Sequence, residues 1–300
     1  MATPSTQRKV ASTAPRWLPA NSQAVTVEVL TAGREDEVLA FLSARPSHTV
    51  FMMGMIRDNG LESSFNRGTF YACRDAAGQL QGVALIGHAT LIEARTEAAL
   101  QAFARIAQNC QRTHMIMGEM EKVETFWNYY AEGGRSPRLS CRELLFEQRW
   151  PVEVREAVRG LRRATLADLE LVMPVQAEMA LAESGVNPLE ADPLGFRVRC
   201  ARRIEQGRVW VLVENGRLVF KADVISDTAE VIYLEGIYVA AEERGKGYGL
   251  RCLSQLSRQL LARTKSVCLL VNELNKTAHS FYQKAGYKMA GLYDTIFLQH

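Results

Sequence analysis

Residues 231–249 read VIYLEGIYVAAEERGKGYG and contain the pattern that decides the fold of the second half of the chain. The apolar run predicts a buried strand, and the acidic residues after it predict a turn. Leucines then recur at helical spacing at positions 250, 253, 256 and 260. Three alternate glycines, Gly245, Gly247 and Gly249, therefore stand where a strand leads into a helix.

Such a loop favours phosphate binding, because glycines leave backbone amides uncovered at a helix N-terminus whose partial charge is positive. Arg244 and Lys246 add charge. The stretch lacks the Gly-Lys-Ser/Thr ending of a Walker loop, and Leu250 stands where a dinucleotide fingerprint needs glycine or alanine. On this stretch alone, an ordinary helix-entry loop remains the alternative.

The stretch VAAEERGKGYG at 239–249 resembles the coenzyme A signature of the GNAT acetyltransferase superfamily. A second stretch, NELNKTAHSFYQKAGY at 272–287, is similar to the later motif of that superfamily, at the expected distance downstream. The resemblance covers the C-terminal half. It implies an N-acetyltransferase that uses acetyl-CoA, needs no metal, and transfers the acetyl group directly to a primary amine.

The resemblance also implies roles for particular residues. The strand at 231–239 would carry a bulge, for which Gly236 is a natural place, and would splay from the strand at 267–271 to admit the pantetheine arm. Tyr282 would protonate the departing thiolate, with a half-buried aromatic as its alternative role. The expected coenzyme A contacts are Ile237, Tyr238, Val239, Arg244, Gly245, Lys246, Gly247, Tyr248, Gly249, Asn275, Ala278 and Tyr282. Asn275 can also serve as a helix N-cap.

The general base is expected to be Glu235, because a carboxylate partly buried in a cleft has the raised pKa that suits proton removal from an amine. The stretch LEGIYV at 234–239 resembles the matching strand of aminoglycoside acetyltransferases, in which the glutamate faces the acceptor. A plain ion pair is the alternative for Glu235. Tyr233 and Glu230 are the next candidates.

The acceptor is expected between the loop of residues 182–192, its flanking helices and the chain near Tyr293. Glu178, Glu183 and Asp192 are acidic residues of this region that can meet a cationic amine, although solvated loop carboxylates are the commoner case. The pattern does not name the acceptor or the acyl chain. A non-catalytic acyl-CoA sensor and an acyltransferase with another acyl chain or a hydroxyl acceptor remain alternatives.

The first half repeats the predicted element order of the second, so we expect two tandem α/β (α+β) GNAT-like domains. Each would be a mixed, mostly antiparallel sheet flanked by helices, at 25–150 and 151–300, after a flexible tail at 1–24. The strand at 89–94 leads into RTEAALQAF without a glycine loop, and the last strand of this half is expected at 144–147. The first domain is therefore expected to be a degenerate copy that has lost coenzyme A and that packs against its partner or offers an interaction surface.

The whole composition is that of a folded soluble protein. The 300 residues are 47% hydrophobic and 23% charged, with a net charge of +3 that gives no general reason to expect nucleic acid. Six widely spaced cysteines predict reduced, mostly buried thiols, and the sequence lacks an apolar run long enough for a membrane span. We expect a cytoplasmic protein without membrane or metal partners; the oligomeric state is not indicated.

Overall fold

The structure is a computed structural model that describes residues 24–154 and 156–299. Nearly all of the tail predicted at 1–24 lies outside the described residues. In the described part no helix is long and apolar enough to cross a membrane. All six cysteines are free, and Cys73, Cys200, Cys252 and Cys268 are buried, as the spacing predicted.

The two halves repeat one order of elements. The first contains β1 (Thr26–Val29), α1 (Glu35–Leu42), α2 (Pro46–Asn59), β2 (Gly68–Arg74), β3 (Leu80–Gly87), β4 (Ala89–Ala94), α3 (Glu97–Gln108), β5 (Met115–Glu119), α4 (Met120–Tyr130) and β6 (Pro137–Gln148). The second contains β7 (Arg162–Arg163), α5 (Leu169–Ser184), α6 (Pro188–Ala191), α7 (Pro193–Glu205), β8 (Val209–Glu214), β9 (Arg217–Asp227), β10 (Ile232–Val239), α8 (Tyr248–Leu261), β11 (Val267–Asn272), α9 (Lys276–Lys284) and β12 (Lys288–Leu298). Only the short α6 has no counterpart.

Local chemistry explains the helix ends that matter for the site. α5 ends where Gly185 takes a left-handed φ of 70°, which a residue with a side chain adopts only with strain. α8 begins after Gly247, whose φ of 83° is also left-handed, and has no acidic residue in its first turn. Its leucines at 253, 256 and 260 are buried against the sheet, as their spacing predicted.

The twelve described strands form one sheet in the order β1-β2-β3-β4-β5-β12-β6-β11-β10-β9-β8-β7. β4 pairs with β5 and β10 with β11 in parallel, whereas the other pairs are antiparallel, so the predicted mixed, mostly antiparallel sheet is confirmed. The halves exchange their last strands: β6 lies beside β11, and β12 lies beside β5. The division into domains at 25–150 and 151–300 stays a prediction, and strand pairing crosses it.

Two strand predictions were wrong in extent. β6 spans Pro137–Gln148 rather than 144–147, and the predicted final strands are the single strand β12. Residues 137–140 are exposed and show no apolar alternation. They are extended because they pair with the end of β12, from Pro137 opposite Leu298 to Ser140 opposite Ile296, and local sequence does not reveal such a pairing.

Side chains of the exchanged strand complete the core of the other half. Phe146 of β6 is 1% exposed and lies in the cluster that contains Leu269, Leu253 and Ile232 of the second half. Leu298 of β12 is buried in the cluster formed by α3 and α4 of the first half. The two halves therefore share their cores as well as their sheet.

Replacement of Phe146 by alanine is expected to lower the free energy of unfolding by about 3–5 kcal/mol, because it opens a cavity in a core that both halves build. Chemical denaturation followed by circular dichroism measures the loss. Leu139→Ala on the same strand is the matched control, since Leu139 is 37% exposed. A cost within about 0.5 kcal/mol is expected for the control, and equal costs for the two variants would contradict the shared core.

Candidate active site

β10 and β11 diverge and leave an open slot at the centre of the second half. Their pairing stops after Ile232 opposite Val267 and Tyr233 opposite Cys268. Beyond this point β11 continues to Asn272 while it pairs only with β6. On the other side of β10 the register with β9 shifts between Glu235 and Tyr238, which places a bulge at Gly236 with a φ of 61°.

The bulge is held by Lys221 of β9, a lysine with no exposed surface. Its Nζ donates to the Gly236 carbonyl oxygen at 3.3 Å and to the Gln176 side-chain oxygen of α5 at 2.5 Å, and it pairs with Asp223 at 2.9 Å. A Cβ at Gly236 would stand 2.8 Å from this Nζ. Because the peptide bond is planar and trans, the Ile237 N–H of the same peptide points away from Lys221.

After the bulge, one backbone amide faces the slot and the next does not. The Ala240 N–H donates to the Val219 carbonyl of β9 at 2.9 Å. N–H groups alternate along a strand, so the Tyr238 N–H also points to β9 and the Val239 N–H points to the open side. The Val239 amide, rather than the Tyr238 amide, is therefore turned toward the slot.

The glycine loop offers a row of free amides. No described residue accepts a hydrogen bond from the backbone N–H groups of residues 245–250, and the first amide in α8 with an acceptor is that of Arg251, bonded to Gly247. Gly245 and Gly247 both have left-handed φ, and a Cβ on either would meet nothing within 4 Å. Open space, free donors and the positive end of α8 together make an anion cradle.

The charged side chains of the loop are engaged locally. Arg244 Nε donates to the Val239 carbonyl at 3.1 Å, and Lys246 Nζ contacts Glu243 at 3.0 Å. Gly249 is needed for packing, since a Cβ there would stand 2.8 Å from Val239 and 3.3 Å from the ring of Phe281. The loop binds an anion through its backbone first and through these side chains second.

The later motif lies along α9. The Asn275 side chain accepts a hydrogen bond from the Ala278 N–H at 3.0 Å and so serves as the N-cap of this helix. The nitrogen of the Asn275 side-chain amide remains able to donate a hydrogen bond. The Tyr282 ring packs among Phe146, Phe281 and Tyr287. Burial raises the pKa of Tyr282 to about 12, so the hydroxyl stays protonated and can act as an acid at neutral pH.

Glu235 lies beside the bulge. Its side chain makes no hydrogen bond or ion pair to another described residue. Burial raises its pKa; Asp223 raises it further, whereas Arg203 and Lys221 lower it. Two other carboxylates act on this site: burial and the charges of Glu235 and Glu143 raise the pKa of Glu183 to about 8. Burial also raises the pKa of Glu143, in spite of the bond that it accepts from Thr295.

The other acidic residues considered for the base or for the acceptor site lie in different places. Glu230 precedes β10 and lies five residues, roughly 16 Å of extended strand, from Glu235, and it pairs with Arg57 at 2.9 Å. Asp192 caps α7 and pairs with Arg199. Glu178 is exposed on α5. Of the three acidic candidates near the acceptor loop, Glu183 is the one whose pKa the charge of Glu235 raises.

Tyr233 is a poor base, because burial and the charges of Glu235, Glu143 and Glu183 raise its pKa well above its ordinary value. Glu143 was missed by sequence reasoning. It begins the stretch ELLFE at 143–147, whose apolar centre marks a strand, but the stretch gives no sign that this strand enters the sheet of the other half.

The corresponding region of the first half is closed. Thr96 caps α3 by accepting from the Ala99 N–H, and the acidic Glu97 follows it, so a side chain occupies one of the first amides and a negative charge stands where an anion would bind. β4 carries no bulge against β3. Its Glu93 is bound by Lys122 at 2.6 Å and by Arg45 at 3.3 Å.

The part of the chain that the structure describes contains no ready set of metal ligands. Within residues 24–154 and 156–299, no three His, Cys, Asp or Glu side chains are placed to hold a metal ion together.

Comparisons with known proteins agree with this geometry. Residues 205–289 match a family model described as an acetyltransferase (GNAT) domain. No curated protein sequence matches the chain significantly. The match covers the bulged strand, the glycine loop and the whole of the later motif.

Solved structures with similar folds span almost the whole chain. A Drosophila protein matches at a TM-score of 0.67 with 11% identity over 91% of this chain and 98% of that one. A GCN5-related N-acetyltransferase from Sphaerobacter thermophilus matches at 0.59 with 12% identity over 91% and 94%. A tandem GNAT protein from the clavulanic acid biosynthesis pathway matches at 0.58 with 12% identity over 91% and 98%.

At these identities the structural matches show the fold, and the sequence match shows the domain type. The chain contains a GNAT acetyltransferase domain at residues 205–289, and as a whole it has the fold of the tandem GNAT proteins.

Proposed function

We propose that the second half transfers an acetyl group from acetyl-CoA to a primary amine of an acceptor by direct attack. The observation that carries this proposal is the row of backbone amides at residues 245–250 that make no hydrogen bond to a described residue. These amides lie next to the slot between β10 and β11. The amides would bind the pyrophosphate of coenzyme A. The slot would take the pantetheine arm in place of a strand.

The thioester would then lie next to the bulge. The Val239 N–H faces the slot and would donate to the thioester oxygen, whose negative charge grows as the amine nitrogen attacks the carbonyl carbon. Ile237, turned away from Lys221, would bond the pantetheine arm, as would the Asn275 amide nitrogen. Tyr238 contributes its side chain to the packing against α5 and α7, and Ala278 gives a small surface on the first turn of α9.

Two side chains would move protons. Glu235, when ionised, would accept a proton from the attacking amine, directly or through water. Collapse of the tetrahedral intermediate breaks the carbon–sulfur bond, and the Tyr282 hydroxyl would protonate the departing thiolate. The products are then an acetylated amine and free coenzyme A, with no covalent enzyme intermediate. We place this reaction in the cytoplasm, where thiols such as the six free cysteines stay reduced.

Gly247→Trp is expected to abolish acetyl-CoA binding, because a bulky side chain at a left-handed position would distort and cover the anion cradle. Calorimetric titration with acetyl-CoA measures the affinity. Gly78→Trp is the matched control: Gly78 also has a left-handed φ and open space around its Cβ, but lies in the turn between β2 and β3. Unchanged affinity in the Gly247 variant would refute the cradle.

Tyr282→Phe is expected to lower kcat by about 100-fold while the Kd for acetyl-CoA changes little, since the ring is kept and only the acid is lost. A free-thiol assay over a panel of amines measures turnover. Tyr71→Phe, on β2 of the first half, is the control and should behave as wild type. If every amine leaves bound acetyl-CoA intact, the domain is a sensor and the proposed reaction is wrong.

The dependence of kcat/KM on pH should report the ionisation of Glu235. Since burial raises the pKa of this base, the ionised form is lost already as the pH falls through that raised value, and kcat/KM should fall with it. Glu235→Gln should lower kcat/KM at every pH and remove this acidic limb. A Gln variant that keeps the limb would assign the base to another residue.

A further inference from the structure

Lys221 is buried where an apolar side chain would cost less. Its neighbours along β9, Phe220 and Ala222, are buried hydrophobic residues, and Lys221 itself has no exposed surface. Taking an ammonium group out of water is costly, and a buried ion pair contributes little stability beyond that of well-packed apolar residues. Stability of the core therefore does not account for this lysine, and its contacts indicate another role.

Three polar atoms surround the backbone of the bulge. A Cβ at Gly236 would lie 2.8 Å from Lys221 Nζ, 3.3 Å from the Gln176 side-chain oxygen and 3.4 Å from a carboxylate oxygen of Asp223. Nζ donates to the Gln176 oxygen at 2.5 Å and to the Gly236 carbonyl at 3.3 Å, and it lies 2.9 Å from the other Asp223 oxygen. Each of the three N–H bonds of the ammonium group thus has a neighbour, and one of these neighbours is the bulge itself.

The Gly236 peptide depends on such contacts for its direction. Gly236 has no side chain and a left-handed φ of 61°, and the register between β9 and β10 gives neither it nor Ile237 a partner residue. A glycine in this position can change its backbone angles at little steric cost. Because the peptide bond is planar, a rotation that turned the Gly236 carbonyl into the slot would turn the Ile237 N–H out of it.

The same ammonium group connects the bulge to the two helices above it. Gln176 belongs to α5, and Asp223 accepts a hydrogen bond from Arg203 of α7 at 3.0 Å. One network of four side chains therefore sets the direction of the Gly236 peptide together with the positions of α5 and α7. Lys221 is the member of this network that contacts the peptide.

Lys221 also acts on the expected base. The register places Asp223 opposite Glu235, so these two carboxyl groups are cross-strand neighbours, with about 5 Å between their Cβ atoms. Burial raises the pKa of Glu235. The charge of Arg203 lowers this pKa, that of Asp223 raises it and that of Lys221 lowers it. The other carboxylates whose charges interact with Glu235 are Glu143 of β6 and Glu183 of α5.

The first half has neither the buried cation nor the bulge at the corresponding place. Its strand β3 reads LQGVALIG and contains no charged residue. It pairs with β4 in unbroken register, from Gly82 opposite Ala94 to Leu85 opposite Leu91. The buried lysine thus accompanies the bulge in the half that carries the glycine loop, which supports a role in the site rather than in the fold that both halves share.

We propose that Lys221 is a positioning residue for acetyl transfer, whose ammonium group fixes the Gly236 peptide so that the amides of Ile237 and Val239 stay directed into the slot. This role rests on the proposed function, because these are the amides that would bind the pantetheine arm and the thioester oxygen. A positive charge at the Gly236 carbonyl also polarises the peptide and strengthens the N–H group on its other side.

The first test replaces Lys221 by methionine in the full chain, which keeps the length of the side chain and removes its charge. We expect kcat to fall about 100-fold, the loss typical of a missing oxyanion donor. The Kd for acetyl-CoA, measured by calorimetry, should change by less than about 5-fold, because the glycine loop is untouched. The acidic limb of kcat/KM should move to higher pH, since a cation that lowers the pKa of Glu235 is gone.

A second variant guards against misfolding of the first. Lys221→Met combined with Asp223→Asn also removes the carboxylate that the first variant leaves with one partner fewer. It should show the same fall in kcat, because the Gly236 carbonyl again lacks its donor. Its acidic limb should lie at lower pH than in the single variant, because the charge of Asp223, which raises the pKa of Glu235, is removed too.

Lys122→Met is the matched control. Lys122 is a buried lysine of the first half that contacts Glu93 at 2.6 Å, so its loss also leaves a buried carboxylate with one partner fewer. This variant should keep the kcat and the acidic limb of the wild type. An equal fall in kcat in the Lys122 and Lys221 variants would overturn the proposed role, as would wild-type kcat in both Lys221 variants.

A measurement on bound acetyl-CoA needs no acceptor. With carbon-13 in the acetyl carbonyl, the change of its NMR shift on binding reports the hydrogen bond to the thioester oxygen, and it should be smaller in both Lys221 variants than in the wild type. An unchanged shift would overturn the role of Lys221. A wild-type protein that binds acetyl-CoA but acetylates no amine would count against the proposed function and would leave this shift to decide the role of Lys221.

Discussion

The pairing of β6 with β12 at the centre of the sheet is the constraint on which the rest of the structure depends. It joins ten residue pairs, from Lys288 opposite Glu147 to Leu298 opposite Pro137. Each of these strands completes the sheet of the half to which it does not belong in sequence. The pairing register therefore decides which side chains of the first half reach the second, and it places Glu143 and Tyr293 opposite each other on one face of the sheet.

The two halves show how little backbone change separates a closed site from an open one. Both have a parallel strand pair connected by a helix, but the first half caps this helix with Thr96 and neutralises its buried Glu93. In the second half, the amides of residues 245–250 and the side chain of Glu235 make no hydrogen bond to a described residue. Unpaired polar groups and mutually repelling charges weaken a fold, so their concentration in one half is typical of a functional site.

Much of the second half could be predicted from the sequence because its signals are local. The strand, loop and helix at 231–249 are contiguous, and Gly236 marked the bulge by its own chemistry. Features that depend on distant register were not accessible: the exchange of strands, the early start of β6 and the position of Glu143. The choice between the Val239 and Tyr238 amides also needed the observed bond from Ala240 to Val219, since a bulge can shift the alternation by one residue.

The exchange of last strands also has a consequence for synthesis on the ribosome. β12 is made after every other strand, yet it lies beside β5, so the sheet of the first half stays one strand short until residues 288–298 have emerged. β6, translated much earlier, has neither of its neighbours until β11 has emerged, and it gains the second only with β12. A nascent chain of this protein exposes two unpaired strand edges for most of its translation, which is the state in which a chaperone is most needed and a truncated product most prone to aggregate.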